Sequence, residues 1–545
     1  MSASEPKAAS NSLLSRALRI GNKPIGFKVA RGVVFSVFRK LLVAPISLLL
    51  VPFTLHEVGV TGYGVWAILS TIISFVWLMD PGLGPTVTKF VAELRGTKET
   101  QEIQRVLDAS CAICLFMCVL ASTVVWSCSH LIIKELFRGP SAPVAASILP
   151  LWPLVLMCMS TFLMTAPFLA LINGMQRMDL TNVLMVSAEI VSAVATVVLL
   201  IAGFKVTGLL IAQLASSLFL LIGAFVIARR LFPSRMVNPF RCELITVRRI
   251  VTFSLPLYAG YVMTTLQGQL ERLYLARMVG VVPVGWYSVA SQGAAKVRRI
   301  PDLLLGPVLA AASELDAGQQ RQKLEELHFR AHKYLALTAV PMVVFAVVCA
   351  KALMRLWVGN SLQIVALTFA ILVIGNLFPQ AGSPTYFIMV GRGILRPAVY
   401  AASLAVVLNV VLSYVFIKLW GFSGAALGTA LPMIINTIYF FVVCREYFQS
   451  PLSRTIRRAY LKPIFCSIAA ICVVPAIRLL GLRNWQSLLV EAVAFSIVYL
   501  IGLTSVRFFD RFDLASAATQ LPFLVRYRSK LFPSRMAEAG AEGVE

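Results

Sequence analysis

The sequence predicts an all-α polytopic membrane protein, and two observations carry this prediction. Hydrophobic residues make up 59% of the 545 residues and charged residues only 13%, about half the charged share of water-soluble domains. The apolar residues also form blocks of about twenty, the length that a helix needs to cross a hydrocarbon layer of ~30 Å. The sequence lacks the short alternating segments of a membrane β-barrel.

The apolar blocks predict about 14 transmembrane helices. The predicted spans are residues 32–55, 63–91, 106–129, 144–171, 181–203, 206–228, 250–276, 284–312, 334–357, 363–390, 397–418, 421–443, 463–480 and 487–506.

Lysine and arginine residues predict the orientation of these spans. With the N-terminus inside, 36 of the 49 basic residues fall on the inner side and ten on the outer side. This bias predicts cytoplasmic N- and C-termini in a bacterial inner membrane. The net charge of +25 therefore reflects membrane topology, and no aromatic and basic module for nucleic acid is visible.

Three loop segments recur at one spacing and predict an internal duplication. The pairs are "VTGYGVWAIL" and "VPVGWYSVA", "NGMQRMDLTN" and "VGRGILRPAV", and "KVTGLLIAQL" and "GFSGAALGTAL", with offsets of about 223, 217 and 216 residues. An even number of spans per copy gives both copies the same orientation in the membrane. The hexamer "LFPSRM" also occurs twice, 300 residues apart, so it is out of register with this repeat.

The repeat and the basic loops together predict the domain organisation. The predicted regions are a basic N-terminal segment (1–31), a first six-helix lobe (32–228), a cytoplasmic linker (229–249), a second six-helix lobe (250–443), a linker with two further helices (444–506) and a basic cytoplasmic tail (507–545).

No metal site, cofactor or nucleotide motor is predicted. The cysteines lack the paired spacing of zinc ligands, and no P-loop occurs. His328 and His332 lie four residues apart beside Glu325 and Glu326, a pattern that we interpret as a solvated loop helix.

Several segments, in this order, are similar to a known transporter superfamily. They are "GVTGYGVWAILSTIISFVWLMDPGLGPTVTKFVAE", "LALINGMQRMDLTN" and "FSLPLYAGYVMTTLQGQLERLYLARMVG". Together with the duplicated six-helix unit, they resemble the Wzx-type polysaccharide flippases of the multidrug/oligosaccharidyl-lipid/polysaccharide (MOP) exporter superfamily. The resemblance covers roughly residues 30–445. It departs from the family at "DPGLG", where "DLG" is usual.

The resemblance implies two lobes that expose a central cavity alternately to each side of the membrane. It also implies a lipid-linked substrate, an undecaprenyl-diphosphate oligosaccharide that moves from the cytoplasmic to the periplasmic leaflet. The expected partners are this substrate, membrane lipids, and the polymerase and glycosyltransferases of surface polysaccharide synthesis.

Charged residues inside the spans are candidates for binding the diphosphate, because they cost free energy in lipid and usually face a cavity or a partner. In span eight, Ser288, Gln292, Lys296 and Arg299 share one helix face. Further candidate cations lie in spans one and seven, and further polar lining is expected in spans seven and ten. These residues are Arg39, Lys40 and Arg272, and Gln267, Asn376 and Gln380.

Three acidic residues are candidates for coupling transport to an ion gradient, because burial raises the pKa of a carboxyl group and lets its charge change. They are Glu189 in span five, Glu271 in span seven and Asp80 at the predicted break of span two. An ion pair for Glu189, lipid headgroup contact for Glu271 and a helix cap for Asp80 are the structural alternatives.

Two other functions remain open from the sequence. A multidrug/cation antiporter of the same superfamily would be expected to have an acid-lined cavity, whereas the span residues here are mainly basic. A membrane glycosyltransferase or polysaccharide polymerase usually needs a large outer loop with catalytic acids, and the longest outer segment here covers only about residues 132–143. The sequence therefore predicts a transporter and not an enzyme.

Overall fold

The computed structural model is helical and has no β-strand in the residues that it describes, which confirms the predicted fold class. The described residues are 25–78, 82–97, 99–137, 142–233, 237–359, 364–448, 451–478, 484–510 and 513. Part of the first copy of "LFPSRM" and all of the second copy lie outside them.

The α-helices follow one another along the chain with short connections. They are α1 (Ile25–Ser74), α2 (Leu83–Thr97), α3 (Thr100–Ser127), α4 (Ser129–Leu136), α5 (Ala142–Ile148), α6 (Trp152–Gly174), α7 (Met178–Ile201), α8 (Lys205–Leu231), α9 (Leu244–Met278), α10 (Val281–Asp302), α11 (Gly306–Ala317), α12 (Arg321–Val348), α13 (Ala350–Val358), α14 (Val365–Gly391), α15 (Arg396–Cys444), α16 (Leu452–Ile471), α17 (Val473–Arg478) and α18 (Asn484–Ser505).

The two longest helices, α1 and α15, each bend at one glycine. Gly59 has φ 70° and ψ 172°, and Gly421 has φ 56° and ψ −127°. Residues with a Cβ rarely adopt these conformations. The bends fall at the joins predicted between spans one and two and between spans eleven and twelve, so a glycine replaces a loop at both places.

Ten helices within the described residues are long and apolar enough to cross a membrane, compared with the 14 spans predicted. Part of the difference arises because the bent segment Arg396–Tyr447 counts once although it contains two predicted spans. The helices α9 and α10 are not among the ten. These two helices carry two of the predicted site cations, Arg272 on α9 and Lys296 on α10.

The chain divides into two compact units. The first comprises the residues up to Arg299 with Trp357–Gly382 and Gly393–Val443, and the second comprises Ile300–Leu356, Ser383–Arg392 and the residues from Cys444. The first unit thus holds α1–α10, α15 and most of α14, and it contains most candidate site residues.

In the second unit, His328 and His332 are buried, so the prediction that they lie on a solvated loop helix is wrong. Helix α12 begins at Arg321, well before the predicted span at 334, and His328 and His332 are only 1% and 0% exposed. Their Nε2 atoms lie 3.0 and 3.1 Å from the Thr385 hydroxyl, and the His328 ring stacks on Phe448 at 4.2 Å. Both imidazoles are therefore part of the packed interior.

A second buried polar cluster in this unit joins α12 to the chain after α18. Asp513 accepts hydrogen bonds from Lys333, from Arg330 at 3.1 Å and from Tyr334 at 2.6 Å. Lys333 also pairs with Asp510 at 3.0 Å. Burial opposes ionisation of Asp510, but hydrogen bonds with Asp513 and Lys333 outweigh it and hold the pKa of Asp510 at about 2.

We expect Asp513→Asn to lower the free energy of unfolding by about 3–5 kcal/mol, because it leaves the buried Lys333 ammonium without its strongest partner. Thermal unfolding of the purified protein in detergent measures this change. Asp316→Asn is the matched control: Asp316 pairs with Arg392, but its side chain is 42% exposed, and such pairs contribute about 1 kcal/mol or less. Equal, small shifts in both variants would contradict the structural role of Asp513.

Candidate functional site

The two repeats meet within the first unit through a reciprocal pair of glycines. A Cβ on Gly64 would lie 2.2 Å from the carbonyl oxygen of Val281, and a Cβ on Gly285 would lie 2.8 Å from the carbonyl oxygen of Val60. The two glycines are 221 residues apart, and so are Val60 and Val281, close to the predicted offset of about 223. The contact is therefore what a pseudo-twofold axis between two parallel repeats would produce.

Lys296 lies eleven positions after Gly285 on α10 and reaches across to α1. Its Nζ atom donates a hydrogen bond of 2.8 Å to the hydroxyl of Ser47 on α1. The same ammonium is 5.8 Å from the ring centroid of Trp357, within the range of a cation–π interaction. Lys296 is half-buried. Its ammonium group therefore contacts the neutral Ser47 and Trp357 side chains and is still partly accessible.

The rest of the predicted α10 stripe continues this face. Gln292 donates a hydrogen bond to the hydroxyl of Tyr63 on α1. Ser288 is 1% exposed, and its hydroxyl has no hydrogen-bond partner among the described residues. Arg299 is exposed. The structure thus brings Gln292 and Lys296 into contact with α1.

Arg272 on α9 is a second cation that contacts a side chain of α1. Its guanidinium donates to Gln269 at 3.2 Å and to the Thr71 hydroxyl at 3.4 Å. Its buried Nε atom has no hydrogen-bond partner in the described residues. Arg272 therefore keeps a donor that an anionic ligand could use.

Glu271 is enclosed by polar side chains, and the adjacent Arg272 guanidinium acts on its carboxyl group electrostatically. It is 1% exposed and accepts hydrogen bonds from Asn409 Nδ2 at 2.6 Å and Thr429 Oγ1 at 3.2 Å. The Tyr287 hydroxyl lies 2.8 Å from that of Thr429. The buried oxygens Asn409 Oδ1 and Ser413 Oγ have no hydrogen-bond partner among the described residues.

The polar candidates on α14 have a more structural environment. Gln380 is 1% exposed, and its amide donates to the carbonyl oxygen of Arg298 at 2.9 Å, which ties α14 to α10. Asn376, one turn earlier, is half-buried. Gln380 therefore positions the stretch of α10 that carries Lys296.

Glu189 occupies a different part of the first unit. It is exposed, although Thr196, two turns further along the same face of α7, is buried. The exposed apolar residues Val194 and Val198 lie on another face. Glu189 is therefore an exposed residue on the face of α7 that also carries the buried Thr196.

Four predicted site residues cannot be placed at side-chain level. Asp80 and the side chains of Arg39, Lys40 and Gln267 lie outside the described residues. Within the described ranges, no three or more His, Cys, Asp or Glu side chains are grouped to hold a metal ion.

Sequence reasoning missed the neutral hydrogen-bond partners of the candidate residues. They are Asn409 and Thr429 for Glu271, Ser47 for Lys296 and Tyr63 for Gln292. Asn409 is an isolated amide in a long apolar block, a signal that could have identified it. Threonine, serine and tyrosine are common in membrane helices, so their role becomes visible only when the helices are packed.

Solved structures show the same fold. The chain is similar to the structure "Lipid II flippase MurJ, inward closed conformation", with 13% identity, a TM-score of 0.61 and coverage of 87% of this chain and 98% of that one. A multidrug resistance MATE family transporter in an inward-facing conformation has 16% identity, a TM-score of 0.57 and coverage of 74% and 94%. A MOP superfamily transporter from Pyrococcus furiosus has 15% identity, a TM-score of 0.51 and coverage of 77% and 94%.

These likenesses show the fold that the chain shares with the three structures. The family model described as "Polysaccharide biosynthesis protein" matches residues 29–313, more than half of the chain. The chain belongs to this family. A comparison with curated protein sequences finds no match.

Proposed function

We propose that the protein is a Wzx-type flippase that moves an undecaprenyl-diphosphate-linked oligosaccharide from the cytoplasmic to the periplasmic leaflet for surface polysaccharide synthesis. The observation that carries the proposal is the Lys296 ammonium, held on neutral partners between the two repeats. Arg272 adds a guanidinium with a spare donor. A diphosphate is a dense anion that such cations bind through charge-assisted hydrogen bonds.

The family supports the polysaccharide pathway, and the basic bias of the predicted inner loops supports an inner-membrane location with cytoplasmic termini. In this proposal the glycosyltransferases of the pathway act before the transport step and the polymerase acts after it. A multidrug/cation antiporter, the predicted alternative, shares the fold. Its positively charged substrates would be repelled by Lys296 and Arg272.

We expect Lys296→Ala to reduce surface polysaccharide by about ten- to a hundredfold at normal protein abundance, since a hydrogen bond to a charged group contributes about 1.5–3 kcal/mol. Lys296→Arg keeps the charge and should retain part of the activity. The measurement is cell-surface polysaccharide together with immunoblotting of the membrane fraction. Lys351→Ala removes an exposed lysine and serves as the control. Normal polymer in Lys296→Ala cells at normal abundance would remove Lys296 from the mechanism.

We also propose that Glu271 couples transport to a proton or cation gradient. Its carboxyl group accepts hydrogen bonds from Asn409 and Thr429, and the neighbouring Arg272 guanidinium acts on it electrostatically. A bound proton or a small cation can neutralise such a carboxylate. Glu189, whose carboxyl group is exposed, and Asp80, outside the described residues, remain further candidates for this role.

A further inference from the structure

Basic and aromatic side chains of α2 and α9 cross at a point far from the glycine contact. Lys89 Nζ of α2 lies 4.0 Å from the ring centroid of Phe253 on α9. In the opposite sense, the guanidinium carbon of Arg249 on α9 lies 4.7 Å from the ring of Phe90 on α2. The two rings are 5.5 Å apart. We call these four residues the cation–π clasp.

The clasp and the glycine contact lie at opposite ends of the first unit. Phe253 and Val281 are 28 positions apart, nearly all of them in α9, which corresponds to roughly 40 Å at ~1.5 Å per residue. Each end therefore has its own connection between the first and the second repeat. The clasp end follows the basic linker and is the predicted cytoplasmic end.

A groove with a volume of about 650 Å³ opens beside the clasp. Its lining consists of Phe90, Ile245, Arg248, Arg249, Thr252 and Phe253. The lining contains two guanidinium groups and no acidic side chain. Lys89 adds a third cation at the rim, where it also forms an exposed pair with Glu93 at 3.4 Å. A groove with aromatic walls and an excess of positive charge is complementary to an amphiphilic anion.

Neighbouring apolar side chains place this groove at a lipid surface. Phe240, Leu244 and Ile245 are 87%, 81% and 83% exposed, which is unfavourable in water and favourable when the side chains insert between lipid headgroups. The groove is therefore directly accessible from the membrane, and its ligand can keep its hydrocarbon chain in the bilayer.

We propose that the groove beside the clasp binds the diphosphate headgroup of the lipid-linked substrate before it reaches Lys296. This inference rests on the proposed function and adds a second anion site, at the cytoplasmic end. Arg248, Arg249 and Lys89 match the two or more negative charges of a diphosphate, whereas a common phospholipid carries one. Arginine binds phosphate oxygens in bidentate fashion, so the ligand competes with the rings for Arg249 and for Lys89.

Binding of the headgroup therefore also loosens the connection between the repeats. A cation–π pair at an exposed site is weaker than a charge-assisted hydrogen bond to phosphate. The clasp should open when the substrate arrives and close again when the headgroup moves inward.

The test uses the full-length protein in nanodiscs of phosphatidylcholine, with farnesyl diphosphate as the probe and calorimetry as the readout. We expect Arg248→Gln/Arg249→Gln to weaken binding of the probe at least tenfold. The control Arg229→Gln/Arg230→Gln removes two arginines at the end of α8 and should change binding less than twofold. Arg248, Arg249 and Arg230 are exposed and Arg229 is half-buried, so both double variants should fold, and circular dichroism checks this.

Three results would overturn the inference: unchanged binding in Arg248→Gln/Arg249→Gln, equal loss in the control, or binding of phosphatidylglycerol as tight as that of the diphosphate, which would make the occupant an ordinary bilayer lipid. The outcome is separable from that of the proposed function. Unchanged binding in Arg248→Gln/Arg249→Gln together with loss of export in Lys296→Ala refutes this site alone, whereas normal export in Lys296→Ala bears on the flippase mechanism and leaves the binding measurement valid.

Discussion

Replacing Gly64 or Gly285 with alanine is expected to reduce polysaccharide export by about tenfold or more, because overpacking costs about 1–3 kcal/mol and 1.4 kcal/mol corresponds to a factor of ten. At Gly64 the new Cβ would lie 2.2 Å from the carbonyl oxygen of Val281 and 2.8 Å from its Cγ1. The backbone cannot yield as a flexible side chain can. The helices α1 and α10 must therefore separate at this contact.

The functional consequence follows from alternating access. If the glycine contact seals one end of the interior while the other end is open, a variant that cannot form it leaves the transporter biased toward the opposite state. A ligand or mutation shifts such an equilibrium only by its differential effect on the two states. Valine at either position should have a larger effect than alanine, and the double alanine variant should exceed each single one.

Surface polysaccharide and membrane abundance measure the effect. Gly382→Ala is the matched control, since a Cβ at Gly382 would meet only Thr437 and Phe440 at ordinary contact distances of 3.6 and 3.8 Å. If Gly64→Ala and Gly285→Ala cells both export polysaccharide normally, the close approach of α1 and α10 is not part of the transport cycle.

The reciprocal contact also explains how far the sequence could predict the fold. The parallel repeat was readable because the glycine-rich segments recur, and Gly64 and Gly285 are the residues that require this recurrence: only a residue without a Cβ allows the two backbones to approach. The count of spans was less predictable. At Gly59 and Gly421 a single residue with positive φ replaces a loop, and periodicity does not reveal such a bend.

The candidate site was predictable in its charges and not in its partners. Lys296 and Glu271 are conspicuous because ionisable residues are rare in apolar blocks. Their hydrogen-bond partners lie more than a hundred positions away in the sequence, such as Ser47 for Lys296 and Asn409 for Glu271. The sequence offered headgroup contact as an alternative for Glu271, and only the packed structure shows that the carboxyl group is enclosed.

Glu271→Gln is expected to abolish coupled export while leaving the fold intact. Glutamine has the same size as glutamate and keeps an oxygen that accepts the hydrogen bonds of Asn409 and Thr429, so we expect unfolding to shift by less than about 1 kcal/mol. The variant lacks the charge that changes when a proton or cation binds. Export should fall about tenfold or more, since the coupling free energy of linked sites is typically about 1–3 kcal/mol.

Glu491→Gln distinguishes coupling from a general effect of removing a buried acid. Glu491 is 2% exposed, but its carboxylate pairs with Arg478 at 3.2 Å and accepts a hydrogen bond from Ser487 at 2.9 Å. Its charge is therefore fixed by a partner, and its loss should lower thermal stability while export per folded protein persists. Glu271→Gln should show the reverse pattern.

The ion is identified by collapsing the proton and sodium gradients separately with ionophores. Wild-type export should stop with one of them, and Glu271→Asp, which retains the charge on a shorter side chain, should keep part of the response. A Glu271→Gln protein that still exports polysaccharide at wild-type rates, with unchanged sensitivity to both ionophores, would show that this carboxyl group only joins α9 to α15. The buried oxygens of Asn409 and Ser413 would then need another explanation, since burying them without a partner costs about 1–3 kcal/mol each.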